Sequence, residues 1–293
     1  MENWEHNLLP LLPAELADEL RELGLEGAEE LRIRVNRPTR LTGCINHTLR
    51  FAPDSEACRD VLQRLCQQSL YAYAEELASC YMTLPGGFRV GITGRMAGMD
   101  TDPHLVAPMG FNIRLAREIH GCADGLMPIL IGSSGIQSTL LISPPGAGKT
   151  TMLRDAARQL SEHGVTVCIA DERRELAGCD NGMPTLDVGP CTDVLEGCKK
   201  AKALRLMLRG MAPEVLVTDE LAGPDDAEAI MDASGSGVQV LASAHASSLE
   251  DLRRRREIYA LIEAGCFDNV VALRRTAGNP PQIEVIYSAE GSV

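Results

Sequence analysis

A short apolar run, a glycine-bearing loop and a helix follow one another without interruption between residues 139 and 160. This succession constrains the fold more than any other feature of the chain. Thr139-Leu-Leu-Ile-Ser143 reads as a buried strand, and Thr151 opens the helical run to Leu160. Between them lie Ser143, Pro144, Pro145, Gly146, Ala147, Gly148, Lys149 and Thr150. The two glycines let the backbone turn so that its N–H groups face one point, and the helix N-terminus adds its positive end. Together with the flanking strand and helix, that makes residues 143–151 a cradle for a polyphosphate. Lys149 is the cation expected on the β- and γ-phosphates, and the Thr150 hydroxyl is expected to ligate Mg²⁺. One position departs from the usual pattern: Ser143 stands where the first glycine is normally found.

A second apolar run, Val215-Leu-Val-Thr218, ends in the acidic pair Asp219-Glu220. Asp219 is expected to hold hydrated Mg²⁺, and Glu220 to orient and polarise an attacking water. A glutamate there argues for ATP hydrolysis over phosphoryl transfer to a small molecule, since a kinase must keep water from its γ-phosphate. Three further segments are candidates. Asp171 and Glu172 open Asp171–Glu175 at the end of another strand, where ligands gather in open α/β sheets. Arg205 and Arg209 share one helix face. His245 ends the strand Val238–Ala242 and its extension, from where it could sense a γ-phosphate. The competing readings are a surface ion-pair cluster, a solvated helix face and a hydrogen-bonded core histidine.

At 293 residues the chain has room for two domains. From about residue 139 apolar strands alternate with helices, which predicts an α/β domain with a mainly parallel sheet over 113–293. A smaller α+β domain is predicted over 1–112. There Pro13–Gly24 reads as a helix, Leu31–Val35 and Phe88–Arg95 as strands, Asp54–Ala78 as helical, and Gly98–Gly110 as a loose connection. The net charge of −13 and only ten aromatic residues disfavour a phosphate-backbone surface or a base-stacking platform, so nucleic acid is not an expected partner. No apolar run reaches the ~18 residues of a bilayer span, and no leader pattern opens the chain, so a cytoplasmic location is expected. Ten cysteines without a C-x-x-C pair read as reduced thiols.

The motifs Ser143–Thr150, Asp171–Glu175, Leu204–Glu214 with Asp219-Glu220, and Ser243-Ala-His-Ala246 together resemble those of the type II and type IV secretion ATPases. Those motors usually have Gly-Glu where this chain has Asp219-Glu220. The resemblance implies a RecA-like P-loop ATPase fold for the 113–293 domain, ATP and Mg²⁺ as ligands and a homo-hexameric ring. It further implies an arginine acting across the subunit interface, with Arg89, Arg95, Arg114 and Arg117 as candidates. The run Arg253–Arg256 follows a capping-box start at Ser247, and most of its side chains are expected to be solvated.

Residues 31–38, 84–95, 111–121 and 186–197 extend the likeness over nearly the whole chain, which resembles the stage III sporulation protein AA family. That implies an ATPase in the mother cell of endospore formers, held at the membrane through partners and powering the mother cell–forespore channel. The implied partners are a membrane platform protein (stage III sporulation protein AB) and other channel components. The alternatives left open are a nucleic-acid-associated P-loop ATPase and a nucleotide-binding scaffold with little turnover.

Overall fold

The computed structural model describes residues 3–25, 27–43, 46–98, 103–115, 119–132, 135–180, 182–274 and 281–289. The chain divides into two compact units, Met1–Arg117 with Gly178–Asp180, and Glu118–Ala177 with Asn181–Val293.

In the first unit an antiparallel sheet is built from β1 (Ala28–Arg34), β2 (Arg37–Gly43), β3 (His47–Thr48), β4 (Tyr81–Leu84), β5 (Phe88–Ala97) and β6 (His104–Arg114), in the order β3-β2-β1-β6-β5-β4. The period-two alternation of β1 buries Leu31 and Ile33 and turns Arg32 and Arg34 to the opposite face. The buried face packs with α2 (Ala14–Leu23), through Leu16 and Leu20, and α3 (Ser55–Leu65), through Val61 and Leu65. Asp54 caps α3 by accepting the N–H groups of Glu56 and Ala57 at 2.9 and 2.8 Å. The short helices α1 (Asn3–Asn7) and α4 (Ala74–Ala78) complete the unit.

The helical spacing over 54–78 is realised in three pieces, because Gln67 and Gln68 have φ of 49° and 65° and end α3; a 3-10 turn over Leu70–Tyr73 then leads to α4. One expectation needs correction here. The stretch read as loose is half strand, since β6 begins at His104. It accommodates Pro108 where the register with β5 shifts between Thr93 and Gly94 and again between Arg95 and Met96. Such bulges suit a residue that has no N–H for the ladder. Strand β6 carries the sheet on to Arg114, a few residues past the boundary expected near 112.

The second unit opens with α5 (Met127–Leu130) and the small hairpin β7 (Ile131–Gly132) and β8 (Gly135–Ile136). Its main strands are β9 (Thr139–Ser143), β10 (Val167–Asp171), β11 (Thr192–Glu196), β12 (Val215–Thr218), β13 (Gln239–His245), β14 (Asn269–Arg274) and β15 (Gln282–Ser288). They lie in the order β11-β10-β12-β13-β9-β14-β15, all parallel except β15. Strands β9, β10 and β12 are buried along their whole length, as their apolar runs require. The helices are α6 (Lys149–Glu162), α7 (Lys200–Gly210), α8 (Pro224–Gly235), α9 (Leu249–Arg253) and α10 (Arg256–Glu263). Ala170 pairs with Thr218, Thr218 with Ala242, and His245 with Ser143. The carboxyl ends of β9, β10, β12 and β13 therefore meet at one edge of the sheet, where ligands bind in open α/β folds.

Helix α6 is fixed by polar contacts as well as by its apolar face. The buried Asp155 carboxylate accepts the Ala123 N–H at 2.8 Å, the Arg158 guanidinium at 2.7 Å and the Gln159 amide at 3.1 Å. Burial pushes its pKa up, but these donors outweigh burial and hold the carboxyl below the usual aspartate range. Gly189 passes close to the same helix with φ +90°, and a Cβ there would lie 2.6 Å from the Ser161 side chain and 2.8 Å from the Arg158 carbonyl oxygen. We expect Asp155→Ala to cost about 2–4 kcal/mol in urea unfolding at pH 7, because it leaves buried donors without an acceptor. The Asp155 contribution is complete above about pH 4, where the unfolded-chain carboxyl is ionised, and is lost as acid protonates the folded carboxylate. Asp155→Asn should therefore flatten the acid limb of the stability–pH curve, and an unchanged limb would refute the assignment.

Candidate active site

The loop after β9 is shaped by positive φ at Gly146 (76°) and Gly148 (100°), the latter capping α6 in a conformation that a side chain would strain. Lys149, only 5% exposed, turns back into this loop. Its ammonium donates to the Ser143 carbonyl at 3.0 Å, the Ser143 hydroxyl at 3.1 Å and the Pro144 carbonyl at 3.3 Å, and it lies 3.1 Å from His245 Nδ1. Burial lowers the Lys149 pKa most strongly; Asp219 and Glu220 pull it back up, and Arg255 adds to the lowering. An ammonium has no lone pair, so His245 Nδ1 accepts, and Nε2 carries the hydrogen donated to Glu220 Oε1 at 2.9 Å. The imidazole thus bridges the loop lysine and the strand-end glutamate.

Asp219 joins the same elements by a second route. One carboxylate oxygen accepts the Thr150 hydroxyl and the other the Ser243 hydroxyl, both through short contacts. The Glu220 N–H reaches that second oxygen at 2.9 Å and the Ser243 hydroxyl at 3.0 Å. Lys200 closes the turn from α7, donating to the carbonyls of Asp219 at 2.8 Å and Glu220 at 2.5 Å. Glu220 itself has φ +53°, a left-handed conformation that costs about 1–2 kcal/mol for a residue with a Cβ. The surrounding hydrogen bonds, with Leu221 N–H on the Ser243 carbonyl at 2.7 Å, hold it there. Its carboxylate takes His245 on Oε1 and Arg173 on Oε2. Burial acts to raise the Glu220 pKa, but Arg173, then His245 and Lys200, more than reverse this and leave it lowered.

Not every candidate residue reaches this cluster. Asp171 is buried at the end of β10, and its carboxylate accepts the N–H groups of Glu175 (2.9 Å), Leu176 (3.0 Å) and Ala177 (2.8 Å). With Arg154 donating to the carbonyls of Glu175 and Leu176, both at 2.6 Å, it shapes the turn that carries Arg173. Glu172 accepts the Lys200 N–H at 3.0 Å and so caps α7. Arg205 pairs with Glu228 at 2.6 Å and Asp232 at 3.0 Å on the exposed side of α8, and Arg209 is exposed in the last turn of α7. Arg89 and Arg114 face each other across β5 and β6 in the first unit, Arg89 against Tyr81 and Arg114 near Glu30, while Arg95 is exposed on β5. Arg117 lies outside the described residues. Sequence reading did not single out Arg173 and Lys200; a basic residue beside an acidic strand end is a signal only once the fold sets them together. Ser143, Pro144, Pro145, Gly146 and Ala147 border an open cleft of about 340 Å³ that is also lined by Ala272–Arg274.

The fold of the chain is similar to that of two solved structures, an ATPase and a pilus retraction motor. The Legionella pneumophila ATPase DotB superimposes with a TM-score of 0.63 over 97% of this chain and 85% of its own, at 14% identity. The pilus retraction motor PilT with bound ADP does so with 0.65 over 94% and 83%, also at 14%. The chain belongs to the family of sporulation stage III, protein AA, whose model matches residues 7–293. Stage III sporulation protein AA of Bacillus subtilis (strain 168) is 40% identical over 273 residues, covering 90% of this chain and 88% of that relative.

The roles found here separate in experiment. Asp171→Ala should destabilise the fold by about 3 kcal/mol by orphaning buried N–H groups, read from urea midpoints. Arg205→Ala should leave the midpoint nearly unmoved. A large loss from the second variant, or none from the first, would reverse the assignments.

Proposed function

We propose that this chain is a Mg²⁺-dependent ATP hydrolase that works as a secretion-type motor during endospore formation. The observation that carries this reading is the meeting of the 143–150 loop with the 219–220 strand end, through Thr150–Asp219 and through Lys149–His245–Glu220. These contacts bring an ammonium, a hydroxyl and two carboxylates to one point from elements 69 residues apart. In this reading the backbone of residues 143–151 cradles the phosphates, and Lys149 exchanges its loop acceptors for phosphate oxygens. Thr150 and Asp219 suit Mg²⁺, because a hydroxyl and a carboxylate oxygen already in contact form a hard oxygen donor pair. When bound, the ion neutralises charge on the β- and γ-phosphates. Glu220 orients the water, and His245 reports the state of Lys149 to it. The cleft beside Ser143–Ala147 is of ligand-pocket size and takes the rest of the nucleotide.

Family membership and fold support the wider context. The motor assembles as a homo-hexamer in the mother cell. One of Arg89, Arg95, Arg114 and Arg117 reaches a neighbouring site, and a membrane platform protein with other channel components forms the load. Among the described residues no helix is long and apolar enough to cross a membrane, so membrane attachment is assigned to those partners.

Lys149→Ala should abolish Mg-ATP binding in calorimetry, while Glu220→Gln should keep binding and lower turnover about 10²-fold or more. Retained affinity in the first, or undiminished turnover in the second, would sink the reading. Light scattering with Mg-ATP should show a hexamer, and a persistent monomer would mean that the ring needs its platform.

A further inference from the structure

Lys200 is the first residue of α7, and only 11% of its side chain is exposed. Both facts count against a lysine there. Burial disfavours an ammonium, and a helix start carries the positive end of the dipole, where an acidic side chain is preferred. Glu172 offsets part of that second cost by accepting the Lys200 N–H at 3.0 Å. The ammonium lies 3.9 Å from the Asp226 carboxylate, beyond hydrogen-bond reach. Its close contacts are instead two backbone oxygens, those of Asp219 at 2.8 Å and Glu220 at 2.5 Å.

Those two oxygens belong to the peptide planes on either side of the Glu220 Cα, and the relative setting of the planes is what φ and ψ of Glu220 describe. The N–H ends of the same planes have their own partners. Glu220 N–H reaches the Ser243 hydroxyl at 3.0 Å and the Asp219 carboxylate at 2.9 Å, and Leu221 N–H reaches the Ser243 carbonyl at 2.7 Å. One ammonium clamps both opposite ends. The conformation so held is the left-handed one, at φ +53°. A residue with a Cβ and an unrestrained backbone prefers other conformations by about 5- to 30-fold. The backbone sets the Cα–Cβ direction, and from this setting the Glu220 carboxylate meets His245 at 2.9 Å.

We propose that Lys200 is a positioning residue: by clamping the carbonyls on both sides of the Glu220 Cα, it holds the backbone turn that aims the Glu220 carboxylate for hydrolysis. The inference rests on the nucleotide reading given above. Lys200 acts through Glu220, so its loss slows turnover and spares nucleotide binding.

The test is steady-state turnover of Mg-ATP by the full chain, with calorimetric binding of Mg-ADP as the second readout. Lys200→Met keeps the stem and removes the ammonium. It should lower kcat about 5- to 30-fold, the preference the clamp opposes, and leave Mg-ADP affinity within about twofold. Lys200→Arg, whose guanidinium can also donate to two carbonyls, should recover most of the rate. Added to Glu220→Gln, Lys200→Met should slow turnover by no more than about twofold, because the group it aims is already disabled. Thermal melts show which variants fold. If the methionine variant does not, Lys200→Gln keeps a donor without the charge and should show a smaller loss of kcat with affinity kept. An unchanged kcat, an equal loss of Mg-ADP affinity, or the full loss repeated on top of Glu220→Gln would overturn the inference. The nucleotide reading fails differently: no turnover by the unmodified chain, or none lost in Glu220→Gln, removes that reading and this inference with it. A slow Glu220→Gln beside an unaffected Lys200→Met removes the inference alone.

Discussion

The Asp219 carboxylate is the constraint on which the rest of the site depends. It receives a hydroxyl from α6 and another from β13, and its own backbone carbonyl is gripped by Lys200 of α7. Four elements distant in sequence are thereby fixed at one edge of the sheet, by hydrogen bonds to a charged acceptor in a partly buried setting. Such bonds are individually worth about 1.5–3 kcal/mol, and together they exceed the cost of the left-handed turn at Glu220. Local strain at the strand end is stable because the neighbours over-determine it.

Much of this edge was legible beforehand. The run at 139–143, the two glycines and Lys149-Thr150 define strand, turn and helix start by local rules, and the apolar strand closing in Asp219-Glu220 does the same. What local rules could not supply is which polar side chains would be used up internally. Asp171 sits at a strand end like Asp219, yet its oxygens are consumed by three backbone N–H groups of the following turn. Arg205 has the spacing of a functional face, yet Glu228 and Asp232 of the adjacent helix satisfy it. Arg173 and Lys200 are distant from Glu220 in sequence, and only the fold, through the turn after β10 and the start of α7, brings them against it.

The first unit shows the same limit from the side of the backbone. Its strand alternation and the Asp54 cap follow from the residues themselves. The break after α3 does not, since it turns on two consecutive glutamines adopting positive φ, which their chemistry does not favour. Pro108 argued against a strand, and the sheet admits it through a paired irregularity in register that no window of sequence displays.

Ser143 in place of glycine has an effect on Lys149 that extends beyond the shape of the loop. Its hydroxyl joins two carbonyls and an imidazole around the Lys149 ammonium, and these acceptors offset part of what burial costs it. Any anion that recruits this lysine must outcompete an inner shell already in place, so the occupancy of the loop is set by a difference between two well-satisfied arrangements. A pocket of that kind fills only where its ligand is plentiful, and it empties readily once the ligand's charge falls.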